Sequence, residues 1–183
     1  MAELTPMMRQ YMEEKEKHPD SLLFFRLGDF YEMFGPDART ASRELDLALT
    51  TRDKDKSKSD EERIPMCGVP YHSAEGYIAK LVQKGYKIAI CEQLEDPKKA
   101  KGLVKRDIIR RVTPGTVVDA SMLDESRNNF LACIYATHED MGMCFADIST
   151  GVVYATDTEE WVDVYNELAR FSPREILAGG FAI

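Results

Sequence analysis

The apolar residues of this chain fall into short runs, each about the length of one strand or of one face of a short helix. None approaches the ~18 residues that a membrane-spanning helix requires. Such a chain builds a core only by packing many short elements into layers. It has the material to do so: 44% of its 183 residues are apolar, and a chain of this length buries about 70% of its extended surface on folding. The first 20 residues lack an apolar stretch followed by a small-residue cleavage site, which argues against a signal peptide and for a cytoplasmic location. Cys67, Cys91, Cys133 and Cys144 form no C-x-x-C pair, and each lies in an apolar or mixed run. They read as reduced, packed thiols.

The order of these runs divides the chain. Thr5-Pro6 is a helix start, a capping hydroxyl followed by proline at the first helical position. Met7, Met8, Tyr11 and Met12 give this helix an apolar face, and it should end before Pro19. Residues 22–27 make a strand closed by Gly28-Asp29, and Phe30–Phe34 follows with three aromatics in five residues. Gly35-Pro36-Asp37 opens a second helix with Ala38, Ala41 and Leu45 inward, and 48–52 is a short strand. Residues 53–63 hold no apolar side chain and read as a mobile loop. Residues 64–69 are extended. Ser73 caps a helix with Tyr77, Ile78, Leu81 and Val82 on one face, ended by Gly85. Residues 86–91 and 107–112 are strands flanking a basic loop or short helix at 96–102, and Thr113-Pro114-Gly115 is a turn.

After Val118 the pattern changes. A polar connector, 121–129, leads to three strands at hairpin spacing: Phe130–Ala136, 141–148 and 152–156. Asp157-Thr158-Glu159-Glu160 is a capping-box signal for a helix with Trp161, Val164, Tyr165 and Leu168 inward, and Ile176-Leu177 begins a fourth strand. The expectation is an α/β (α+β) chain in two parts. Residues 1–118 form a mixed-sheet domain. Residues 119–183 form the opening of a ribonuclease-H-like sheet whose α/β layer stops unfinished, as in a segment cut from a longer protein.

Charge follows the same division. The formal net is −8, but residues 119–183 carry three basic and twelve acidic side chains, leaving residues 1–118 at +1. Within the first part, seven basic residues (Lys98, Lys99, Lys101, Lys105, Arg106, Arg110 and Arg111) face one acid, Asp107. That run is either a solvated surface or a phosphate-facing edge. No Walker A loop, dinucleotide fingerprint or G-x-S-x-G elbow occurs, and His18, His72 and His138 lack metal-ligand spacing. Asp147 stands where ribonuclease-H-like enzymes carry a metal carboxylate, but one carboxylate does not make a two-metal site.

Five blocks carry a resemblance: Thr5-Pro6-Met7-Met8, the string from Gly28 to Phe34, the string from Ile64 to His72, Ala89-Ile90-Cys91-Glu92-Gln93, and Val112-Thr113-Pro114-Gly115-Thr116. In this order they resemble the mismatch-recognition domain of the bacterial MutS family of DNA mismatch repair proteins. Asp147-Ile148-Ser149-Thr150-Gly151 looks like the start of that family's connector domain. The resemblance implies a DNA-binding module, not itself an enzyme and without a cofactor of its own. It would belong to a longer ATPase that uses ATP and Mg, forms a homodimer and meets a MutL-like downstream partner, with no membrane attachment. It further implies that Phe30 stacks on a mispaired base from the minor groove and that Glu32 hydrogen-bonds that base. Arg52, Lys105 and Arg106 match positions where the family sets basic groups near the DNA backbone.

The residue chemistry suits that role. An apolar wedge costs a few kcal/mol of unstacking, least where pairing is already lost. Aromatic stacking returns ~1–3 kcal/mol for any base. In an extended segment Phe30 and Glu32 share a face. By residue type alone, Phe30 could equally be core, with Tyr31 facing out. Two other readings stand beside the first: a metal-dependent ribonuclease-H-like nuclease using Asp147, and a protein-interaction module using the acidic second part.

Overall fold

The structure, a computed structural model, describes residues 4–52, 63–96, 99–100 and 102–180. The chain divides into two compact units, Met1–Val112 and Thr113–Ile183. Residues 113–118, which the change of sequence pattern groups with the first part, pack with the second.

In the first unit, α1 (Pro6–Lys17) starts at the Thr5-Pro6 signal, with Thr5 Oγ1 accepting from the Met8 amide at 3.3 Å. Then follow β1 (Ser21–Leu27), β2 (Phe30–Phe34), α2 (Gly35–Leu45), β3 (Thr50–Thr51), β4 (Pro65–Pro70), α3 (Ala74–Gln83), β5 (Lys87–Gln93) and β6 (Arg106–Val112). The strands form one sheet in the order β3-β4-β2-β1-β5-β6. β1 and β5 run parallel, and the other neighbours are antiparallel.

The apolar run of β1 is explained by cover on both faces. Leu23 and Phe25 pack with Met8, Tyr11, Phe34, Ala89 and Cys91 on the α1 side. Leu22 and Phe24 alternate to the other side, where α2 and α3 bury Ala38, Ala41, Ile78, Leu81 and Val82. Each fully buried Leu or Phe contributes about 1.5–3 kcal/mol. A polar node ties the layers. The Tyr11 hydroxyl accepts from the Phe34 amide at 3.2 Å and donates to Asp37 at 3.3 Å, and Asp37 also accepts from the Leu23 amide and pairs with Lys15 at 2.9 Å.

Three local expectations change. Ser73 takes the N-cap position of α3 as expected, but its side chain makes no cap bond: one 3-10 turn, Tyr71–Ser73, precedes the helix, and the Ser73 hydroxyl donates back to Pro70 O. The strand expected at 48–52 is reduced to Thr50–Thr51, paired to β4. The loop expected at 53–63 lies outside the described residues except for Arg63.

The second unit holds β7 (Phe130–Ala136), β8 (Met141–Asp147), β9 (Val152–Thr158), α4 (Trp161–Phe171) and β10 (Glu175–Gly180). The sheet order is β10-β7-β8-β9, with β10 parallel to β7. This is the three-strand, helix, strand opening that the sequence pattern describes. Period-two alternation turns Phe130, Ala132, Ile134, Met143 and Phe145 toward α4. It turns Cys133 outward, so this thiol is exposed rather than packed, while Cys67 and Cys91 are buried. Burial pushes the Cys67 thiol up to about 11 and the Cys91 thiol up to about 12.

The packing stripe of α4 also differs from expectation. Val164, Leu168 and Phe171 face the sheet, with Phe171 stacked on Phe145 at 4.2 Å. Trp161 and Tyr165 are 43% and 66% exposed. The seven-residue span from Val164 to Phe171 sets the inward face, and Trp161 and Tyr165 fall beside it. The cap is displaced in the same way: Thr158, at the end of β9, accepts from the Glu160 amide and donates to Asp163.

Asp147 closes the β8 end of this sheet. Its two oxygens accept from Ser149 N and Oγ, Asn128 Nδ2 and Asn129 N, at 2.6–3.1 Å. Burial alone pushes its carboxyl up, but the four hydrogen bonds outweigh it and hold the pKa at about 2. A carboxylate depressed on folding stabilises above its unfolded pKa, and that stability is lost as pH falls through the folded value. Trp161, the one tryptophan, reports on this unit. The acid limb of its unfolding, between about pH 4 and pH 2, is expected to flatten in Asp147→Asn. An unchanged acid limb would place the titration elsewhere.

Candidate nucleic-acid interface

The two-residue connection Gly28-Asp29 joins β1 to β2, with Leu27 opposite Phe30. Gly28 has φ +60° and Asp29 a negative φ, the pattern of a type II′ hairpin turn, in which glycine takes the first central position. Both turn carbonyls are tied down. Arg26 Nε donates to Gly28 O at 2.5 Å, and the Tyr71 amide donates to Asp29 O at 3.0 Å. The Arg26 guanidinium lies 3.5 Å from the centre of the Tyr71 ring and pairs with Glu92 at 3.1 Å. Glu92 also accepts from the Tyr31 hydroxyl. Burial first, and then this bond to Glu92, push the Tyr31 phenol up to about 12.

This cluster decides which aromatic faces out. Phe30 is 46% exposed, whereas Tyr31 is 8% exposed. The alternative in which Phe30 is core and Tyr31 points outward is therefore reversed. Helix α1 covers the Phe34 end of β2, where Tyr11 meets Phe34 edge-on at 5.0 Å, and leaves the Phe30 end open.

Glu32 lies on the same side of β2 as Phe30, opposite Gly68 of β4 and Phe25 of β1. A side chain at Gly68 would meet Glu32 Cγ at 3.3 Å and Tyr31 O at 3.2 Å, so glycine there makes room for the acid. Arg52, just after β3, reaches across with Nη2 2.9 Å from Glu32 Oε1. Oε2 of Glu32 is buried without a hydrogen-bond partner among the described residues. A buried unsatisfied acceptor costs about 1–3 kcal/mol.

Of the five residues singled out by sequence, Phe30, Glu32 and Arg52 come together. Arg106 does not serve as expected. It is 7% exposed, and its guanidinium donates to Arg26 O, Gln10 Oε1 and Val104 O and lies 5.0 Å from the Phe25 ring centre. Three of its five N–H donors, on Nε and Nη1, are held inside the protein, so it braces β1 against β6 and α1. Arg110 pairs with Glu75 at 2.9 Å and Arg111 with Asp20 at 3.0 Å. Two of the seven basic residues are thus paired with acids from elsewhere in the unit. Lys105 remains exposed. Arg26, Tyr71 and Glu92 were not singled out by sequence, although Tyr71 and Glu92 lie within the blocks that carry the resemblance.

Asp147 is committed to the hydrogen bonds that close its own turn, and no cluster of three or more metal-ligating side chains occurs among the described residues. It acts there as a turn brace.

A mixed α/β sheet that carries a clamped hairpin, an exposed aromatic and an acid behind it, followed by a second small mixed-sheet unit, defines a two-unit α/β protein with one aromatic ring held out on a fixed turn. Comparison with known proteins makes the class specific. The family profile described as MutS domain I matches residues 5–121, and that of MutS domain II matches residues 129–180. The chain is 56% identical over 183 residues to "DNA mismatch repair protein MutS" of Acetivibrio thermocellus, covering 98% of this chain and 21% of the relative. It is 57% identical over 175 residues to the protein of that name from Clostridium tetani, covering 95% and 19%, and 54% identical over 178 residues to that of Caldanaerobacter subterraneus, covering 96% and 20%. The chain belongs to the MutS family of DNA mismatch repair proteins, and it spans about one fifth of the length of the curated relatives it matches.

Replacing Arg106 by alanine leaves two part-buried carbonyls and an amide oxygen without this donor. Arg106→Ala is expected to destabilise the chain by roughly 2–4 kcal/mol in urea unfolding followed by circular dichroism. A stability change within ~0.5 kcal/mol would show that the guanidinium is free for an outside partner.

Proposed function

We propose that this chain recognises mispaired or unpaired bases in double-stranded DNA by inserting Phe30 from the minor groove, with Glu32 bonding the displaced base, as the initiating step of mismatch repair. One observation carries the reading: Phe30 is the exposed end of an otherwise buried strand, held on a turn whose carbonyls are both clamped. Exposing a large aromatic in this way lowers folding stability and serves binding. Because the turn is already ordered, little conformational entropy is lost when the ring meets DNA. Phe has no polar atom, so the wedge selects weakly stacked steps rather than a sequence. Arg52 and Lys105 fix the backbone without reading bases.

The module acts without chemistry of its own. ATP and Mg, the homodimer and a MutL-like partner belong to the remainder of a whole MutS protein, and the setting is cytoplasmic. No described helix is long and apolar enough to cross a membrane.

The test compares matched duplex with duplex carrying one unpaired thymine, by fluorescence anisotropy at low salt. Phe30→Ala should bring the two affinities together while changing stability by less than ~1 kcal/mol, as for an exposed side chain. A loss of about 3–5 kcal/mol instead would mean that the ring is core. Lys105→Ala should weaken both complexes alike and flatten the salt slope by ~0.9 unit. An unchanged slope would remove Lys105 from the interface.

A further inference from the structure

We infer that Arg52 is a specificity-determining residue acting through Glu32: the Arg52–Glu32 ion pair is a latch that a DNA phosphate opens. This rests on the reading of Phe30 and Glu32 as the base-contacting pair.

In the free protein the Glu32 carboxylate is not presented to a ligand. Oε1 is held by Arg52 Nη2 at 2.9 Å, and Oε2 is buried with no partner among the described residues. The Glu32 side chain is 10% exposed, and the Arg52 side chain that covers it is 49% exposed. The closed arrangement is therefore incompletely satisfied on the acid side and reachable from solvent on the base side. A backbone phosphate presents two anionic oxygens where Glu32 engages Arg52 through Oε1 alone, and it competes for the guanidinium in bidentate geometry. When Arg52 moves to phosphate, Glu32 loses its one partner beside a polyanion. A displaced base with a ring N–H or amino donor replaces that partner, whereas a fully paired duplex has no free base to do so. Backbone contact and base reading are thereby coupled. The phosphate contact sets a condition that paired DNA fails to meet.

The latch also accounts for the position of Arg52. It sits just past β3, the two-residue strand at the sheet edge, and two strands from the hairpin that carries Phe30. A residue needed only for phosphate would have no reason to reach back over the sheet to a nine-tenths buried acid.

The experiment is a double-mutant cycle on the full chain with Arg52→Gln, Glu32→Gln and both together. The affinity ratio for unpaired-thymine over matched duplex is measured at fixed low salt. Arg52→Gln in the wild-type background should shift the ratio by about threefold to fivefold, the size a half-exposed ion pair carries. In the Glu32→Gln background it should leave the ratio unchanged and weaken both complexes equally. Equal weakening in both backgrounds overturns the latch and leaves Arg52 as a plain phosphate contact. Should Arg52→Gln abolish all binding, Arg52→Lys keeps the charge for phosphate while losing the forked geometry, and its ratio decides in the same way. A parallel cycle in urea unfolding reads the pair without DNA, and strict additivity there also overturns the latch. If wild type does not distinguish the two duplexes, or if Phe30→Ala keeps the distinction, it is the wedge reading that fails, and the unfolding cycle still reports on the ion pair.

Discussion

The first unit depends on burying β1 from both sides. A strand covered on one face could leave either register of the following hairpin open, because a one-residue slip merely exchanges faces. Here α1 claims Leu23 and Phe25, while α2 and α3 claim the alternate positions. With β1 fixed, the two-residue turn fixes β2 by pairing Leu27 with Phe30 and Phe25 with Glu32. The exposed ring is therefore a consequence of core packing several residues away.

The hairpin is then stiffened by groups with no part in the core. Arg26 reaches forward to the turn, stacks on Tyr71 and pairs with Glu92, so the β1–β2 hairpin, the end of β4 and the end of β5 are locked together at one corner. Arg106 braces the same strand from its opposite face through Arg26 O. This corner is held by hydrogen bonds and a cation–π contact rather than by apolar packing. That arrangement leaves the ring itself free for a ligand.

Part of the basic charge in the first unit is spent internally. Three of the seven basic residues between positions 98 and 111 hold a backbone carbonyl or an acid of the same unit. The net over residues 1–118 is only +1. In the second unit, whose net charge is acidic, the Asp147 carboxylate closes a turn and its pKa is held at about 2 by four hydrogen bonds.

Local signals in the sequence determined the elements of this protein. Proline after threonine starts α1, Gly-Asp makes the tight hairpin, and the runs after position 129 alternate with period two, because each depends on neighbours within a few residues. The family blocks likewise marked Phe30 and Glu32. Tertiary structure decided what those signals leave open. Phe30 and Tyr31 are adjacent aromatics, and only the helices on either side of the sheet choose which is exposed. Arg52 and Arg106 read alike as basic residues near DNA, yet one lies over Glu32 at the surface and the other is enclosed by Gln10, Val104 and Phe25. Trp161 and Tyr165 look as apolar as Val164, but α4 packs on its sheet through Val164, Leu168 and Phe171 and leaves them largely exposed. Side-chain type and spacing are local quantities, whereas burial and pairing depend on residues distant in the chain that the fold brings together.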